Sequence, residues 1–325
     1  MGAGLRGAER RARGRPSGSL VPSAVVQLSG AELAGLAALG VFAGWLGALI
    51  GIGGGIIVVP ALVLAFGYDI HLAVAVSLVC VVATSTAAGS AYVGEGLAHM
   101  RLGMALEIAT TVGGIAGGLI AVAISPRALS AVFAGVVLVT AGLALRSREA
   151  EVPAADADDR APGSGPGAGA PPPSGGWEVP GTLAGAYVDP RSGVLVEYRA
   201  ERLGLGAGVS ALAGMLSGML GVGGGFLKVP AMTVGMKVPI KVAAATSNFM
   251  IGVTAIASLL VYFARGYLRP LVAAPIALGV VAGALLGSRL AARTSPALLR
   301  RVLVAVLVFV ALQMALKAFG VDIGR

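Results

Sequence analysis

GIGGGIIVVP at residues 51–60 returns as GVGGGFLKVP at residues 221–230. Each copy cuts into an apolar run with a glycine cluster and closes on a proline, Pro60 in the first and Pro230 in the second. Glycine costs a helix interior about 1 kcal/mol relative to alanine, and proline removes a backbone hydrogen bond, so each stretch predicts a broken helix. In lipid, irregular backbone is tolerated only where it is buried in protein or lines a cavity.

The rest of the chain reads as lipid-embedded. Of its 325 residues, 57% are hydrophobic and 12% charged, whereas about a quarter of an ordinary soluble domain is charged. Mean hydropathy is +0.90. With 51 glycines and only 5% aromatics, helices are expected to approach closely through small residues, as they do in bilayers. Net charge is +9, but the basic residues flank apolar runs and form no face interleaved with aromatics, which argues against nucleic-acid binding. Cys80, the single cysteine, provides neither a disulfide framework nor a metal-ligand pair. Residues 1–30, with Arg6, Arg10, Arg11, Arg13 and Arg15, read as a disordered basic tail and not as a signal peptide.

Apolar runs long enough to cross a hydrocarbon core recur along the chain. The first series lies near 32–50, 56–66, 72–93, 103–124 and 128–146. A second lies near 203–220, 226–235, 242–263, 271–291 and 298–319. The two superpose without a gap at a constant offset of 170 residues, which carries Pro60 onto Pro230, Ser77 onto Ser247 and Pro126 onto Pro296. The expected architecture is an all-α polytopic membrane protein of two homologous repeats, residues 31–146 and 203–325, each with about four to five transmembrane segments and a glycine-broken helix. An even number of crossings per repeat makes the repeats parallel, an odd number inverted. Residues 147–202 form a Gly/Pro-rich linker whose last part, from Trp177 to Arg202, alternates like a small hairpin.

A broken helix exposes backbone N–H groups and the positive end of a helix dipole, which together favour an anion. Matching Gly/Pro interruptions in two halves point to a transporter binding site where the repeats meet. Gly53, Gly54, Gly55 and Pro60 are therefore candidate substrate-binding residues, as are Gly223, Gly224, Gly225 and Pro230. The competing reading is tight helix crossing through glycine. A phosphate loop is excluded, because neither copy has the Lys-Ser/Thr pair that a nucleotide-binding loop needs after its last glycine.

The pattern G-x-G-G-G-x-x-x-x-P in both halves, followed by a serine at the start of the next helix, resembles the TauE/SafE sulfite exporter family over residues 32–319. The resemblance implies a polytopic transporter of sulfite, sulfonates or related organosulfur anions, and transport in place of catalysis. AVS at 75–77 departs from the more family-like ATS at 245–247. The long linker is not a general family feature either.

Polar residues inside apolar runs complete the candidate set. Ser77, Thr246, Ser247 and Asn248 lie one segment after the breaks, with Thr84 and Thr254 further along the same runs. Ser85 and Thr86 read as helix-packing hydroxyls. Lys228 lies three residues beyond the second glycine cluster, opposite Val58 in the first half. It is a candidate to balance substrate charge, with snorkelling to the interface as the competing reading. His71 and Lys241 read as interfacial charges, and Glu107 as a weak candidate for a proton-coupling carboxylate. The function expected is secondary transport of a small anion in the cell membrane, with lipid and a coupling proton as partners and without cofactor or metal. An anion channel or a membrane scaffold subunit is the alternative. A membrane enzyme is poorly supplied by His71, His99 and one cysteine.

Overall fold

A computed structural model describes residues 29–50, 54–94, 98–146, 177–178, 183–188, 195–291 and 296–318. Among them the first half forms α1 (Gly30–Ile50), α2 (Gly55–Leu64), α3 (Ile70–Gly94), α4 (Met100–Ala123) and α5 (Pro126–Arg146). The second half forms α6 (Leu203–Leu220), α7 (Gly225–Pro230), α8 (Ile240–Ala264), α9 (Pro270–Ala291) and α10 (Pro296–Ala318), with a π-helical turn, Ala231–Gly235, continuing α7.

Local chemistry sets the helix starts. Ser29 and Glu32 form a reciprocal capping box, with Glu32 N–H donating to Ser29 Oγ at 3.2 Å and Ser29 N–H to Glu32 Oε2 at 2.9 Å. Helices α5, α9 and α10 open on prolines, where the missing N–H would have had no helical partner. Pro230, which lacks an N–H for the ladder, stands where the π-helical turn begins.

Five of these helices are long and apolar enough to cross a bilayer. Large apolar side chains point outward from the bundle, Ile108 at 73% exposure and Leu278 at 74%. Such a surface suits lipid and not water. The chain is an all-α polytopic membrane protein.

Helix α1 lies along α9 and α6 along α4, while α3 faces α8 and α5 faces α10. Glycine makes the two long crossings close. A methyl group on Gly44 would collide with the Val280 carbonyl, and one on Gly283 with the Val41 carbonyl. The same offset carries these to Gly214 against the Thr110 carbonyl and Gly113 against the Ala211 carbonyl. Where lipid supplies no hydrophobic drive between helices, such close backbone approach maximises dispersion contact.

A three-stranded antiparallel sheet, β1 (Trp177–Glu178), β2 (Ala184–Val188) and β3 (Leu195–Arg199), precedes α6. Tyr187 and Ala200 pack with Leu102 and Leu106 of α4 and with Met232, Met236 and Val238. At that edge Glu201 N–H donates to the Met236 carbonyl at 3.1 Å. The basic stretch 1–28, linker residues 147–176 and Gly53 lie outside the described residues.

Candidate functional site

The second glycine cluster breaks the chain. Helix α6 stops at Leu220 because Gly221 turns into the left-handed region at φ 68°, followed by Gly223 at 93° and Gly224 at 66°. A side chain at Gly224 would be strained by that backbone, and its Cβ would lie 2.7 Å from the Ala213 carbonyl oxygen. Helix α7 restarts at Gly225. In the first half, Gly54 keeps right-handed geometry, with φ −69°, at the start of α2.

Ending α6 inside protein leaves carbonyls that need donors. The Tyr262 hydroxyl lies 3.0 Å from the Gly218 oxygen and 3.2 Å from that of Met219. Ser77 Oγ donates to the Gly221 oxygen at 2.7 Å, from the other half of the chain. Gly55 touches the same place: a methyl group there would collide with the Gly221 carbonyl. Two sequence candidates, Gly55 and Ser77, thus meet the second break directly.

Lys228 lies one turn beyond Gly224 and is fully buried, at 0% exposure. It does not snorkel. Its Nζ donates to Thr254 Oγ1 at 3.5 Å, and that hydroxyl lies 2.7 Å from Glu107 Oε1. Thr111 donates to the same carboxylate oxygen at 3.0 Å. A cation, a hydroxyl and a carboxylate therefore form a continuous buried chain from α7 through α8 to α4. Gly114, against Thr254 and Ser258, permits the close approach of α4 and α8 that this requires.

Three oxygens here are buried without a hydrogen-bond partner: Glu107 Oε2, Ser217 Oγ and Ser247 Oγ. The two hydroxyls flank the break, because a Cβ on Gly224 would lie 3.3 Å from Ser217 Cβ and one on Gly225 would lie 3.5 Å from Ser247 Oγ. A buried polar group without a partner costs roughly 1–3 kcal/mol. The two hydroxyls at the break, and the carboxylate linked to Lys228, equip this region to hold a polar guest.

Other candidates are engaged within the protein. Thr246 Oγ1 accepts from the His99 N–H at 2.9 Å, and the Asn248 carbonyl accepts from the Ser85 hydroxyl. Thr84 and Thr86 bond carbonyls of their own helix. Pro60 is buried inside α2, and Pro230 ends α7, so both shape backbone. His71 differs from its expected interfacial position. It sits in the first turn of α3, buried, with Nδ1 2.9 Å from Asp69 Oδ1, Nε2 3.0 Å from the Ala121 oxygen, and its ring stacked on Tyr267 at 4.9 Å. Its ring is large and largely apolar, so burial with both nitrogens partnered costs little.

Sequence reading missed Ser217 and the link between Glu107 and Lys228. The offset offered one signal, since Ser217 stands where the first half has Gly47.

The family description "Sulfite exporter TauE/SafE" matches residues 36–314. Over 251 residues the chain is 26% identical to a Bacillus subtilis (strain 168) protein described as "Probable membrane transporter protein YunE", covering 75% of this chain and 83% of that relative. No solved structure matches. The matched span takes in both glycine breaks and every residue of the buried polar chain, and this chain belongs to the TauE/SafE sulfite exporter family of membrane transporters.

Proposed function

We propose that the protein is a secondary transporter that exports a small oxyanion, a sulfite, sulfonate or related organosulfur or carboxylate anion, and that it binds the anion at the second glycine break. The observation that carries this reading is the full burial of Lys228, one turn beyond a break flanked by the unpartnered Ser217 and Ser247 hydroxyls. An ammonium withdrawn from water needs a counter-charge, and an oxyanion supplies one together with acceptors for both hydroxyls. Lys228 is the candidate charge partner, and Gly223, Gly224 and Gly225 give the anion close access to backbone. Gly55 and Ser77 brace the break from the opposite half.

The two halves are read as duplicated repeats that rock about this site. Support comes from mirrored detail. Tyr68 N–H donates to the Leu62 oxygen at 3.0 Å, and Val238 N–H to the Met232 oxygen at 2.9 Å, bonds that the constant offset superposes. Transport in place of catalysis is supported by the family and by the relative, both described as transporters.

The test is flux in proteoliposomes, with sulfite, methanesulfonate and acetate as probes. Saturable flux of at least one, reduced tenfold or more in Lys228→Met, is the expected result. Unsaturable flux would favour a channel. Absence of flux for every probe by folded protein would overturn the transport reading.

A further inference from the structure

We infer that Glu107 is the coupling residue: an anion binding at Lys228 displaces the Glu107 carboxylate from its counter-charge, and Glu107 then takes up a proton that travels with the anion. This rests on the transporter reading and adds its coupling ion and the residue that carries it.

The geometry supplies each step. Lys228 reaches Glu107 only through Thr254, whose hydroxyl accepts from the ammonium and donates to the carboxylate. Helix α4 carries no other acid, and its one base, Arg101, lies near its start. On the elements packed against α4, α6 has no titratable side chain, α8 has Lys241 near its start and Tyr262 near its end, and the sheet has Glu178, Tyr187, Glu197, Tyr198 and Arg199; α7, at the break, has Lys228. Among the described residues, the hydrogen-bonded path from Glu107 leads to one charge, Lys228. Glu107 is 8% exposed, and its Oε2 has no partner.

A carboxylate in that setting is stable as an ion while Lys228 compensates it. Once an anion engages the ammonium, the carboxylate is a buried, uncompensated charge, and protonation is its cheapest relief. The proton comes from water on the side to which the site is open, and it occupies Oε2, the oxygen that no hydrogen bond now restrains. When the site opens to the other side and the anion leaves Lys228, the pair re-forms and the proton is released there. No covalent bond other than O–H is made or broken. A monovalent anion crosses with no net charge, and a divalent one carries one negative charge.

Full-length protein in liposomes loaded with a pH-reporting dye is given a methanesulfonate gradient. That anion stays ionised, so proton movement cannot come from passage of its neutral acid. Wild type is expected to move about one proton per anion. In Glu107→Gln the proton-to-anion ratio is expected to fall at least tenfold, whatever the rate. Thr254→Val is expected to lower the ratio, and Thr254→Ser, which keeps the hydroxyl, to restore it. A wild-type ratio near zero, or a ratio unchanged in Glu107→Gln or Thr254→Val, would overturn the inference and leave the transporter reading standing. No movement of sulfite, methanesulfonate or acetate by wild type would instead remove the transporter reading itself.

Discussion

Removing either charge of the buried chain is expected to destabilise the protein far more than removing both. The two legs, 3.5 Å from Lys228 Nζ to Thr254 Oγ1 and 2.7 Å from there to Glu107 Oε1, bound the separation of the charges at about 6 Å. At an effective dielectric of about 20 that separation is worth roughly 3 kcal/mol. Lys228→Met leaves a carboxylate without its cation, and Glu107→Gln leaves an ammonium without its anion. Each single change is therefore expected to cost about 3–5 kcal/mol, and the double change about 1 kcal/mol or less, because a neutral pair of similar volume carries no desolvation penalty. Thermal melting in detergent, followed by size-exclusion chromatography, reads this directly. At roughly 2 °C per kcal/mol for a chain of this size, each single variant should melt about 6–10 °C lower, with the double variant near wild type. A double variant that melts as low as the two single losses added together would refute the coupling.

Ser217→Ala and Ser247→Ala should leave melting unchanged or raise it slightly, because neither hydroxyl has a partner to lose. Each should raise KM for the transported anion about fivefold, the equivalent of one hydrogen bond of about 1 kcal/mol; lower stability with unchanged KM would refute this. Tyr262→Phe strips the donor from the last-turn carbonyls of α6 and should cost about 1–3 kcal/mol, so an unchanged melting temperature would contradict the capping role. Gly44→Val and Gly214→Val drive side chains into the Val280 and Thr110 carbonyls. Both should lose at least about 3 kcal/mol and most of the monodisperse protein peak; tolerance of either would show that its crossing is not tight.

The helices were legible because a bilayer fixes both composition and length. The run expected near 72–93 forms Ile70–Gly94, and the one expected near 242–263 forms Ile240–Ala264. The second glycine break was legible for the same reason that it exists, since four glycines within five residues leave α-helix with little to hold it. Depth was not legible. Nothing local to Lys228 separates a buried ammonium from one reaching the interface, because the distinction depends on which helices close over it. The Glu107–Thr254 contact spans 147 residues and joins two residues of unremarkable local context. His71 was obscure in the same way: its partner Ala121 and its stacking ring Tyr267 come from distant parts of the chain.

The arrangement is chemically one-sided on a mirrored scaffold, and that asymmetry makes a last prediction. Val58 occupies the place of Lys228, Ala277 that of Glu107, and Thr84 that of Thr254. Thr84 already donates to carbonyls of its own helix at 3.1 Å, and Ser77 donates to Gly221. The hydroxyls of the first half are thus engaged in holding structure, whereas Ser247 is unpartnered. Exchanging the residues of one pair, as Val58→Lys with Lys228→Val, should therefore fail to restore anion flux. It should also destabilise the fold, because Val58 is fully buried and the new ammonium would meet no carboxylate. Adding Ala277→Glu supplies the missing counter-charge and should recover stability. It should not recover flux, because Gly54 keeps the right-handed backbone that Gly224 abandons. Recovery of flux by the first exchange alone would show that the two breaks are interchangeable, and that the left-handed backbone of the second is not what qualifies it to receive an anion.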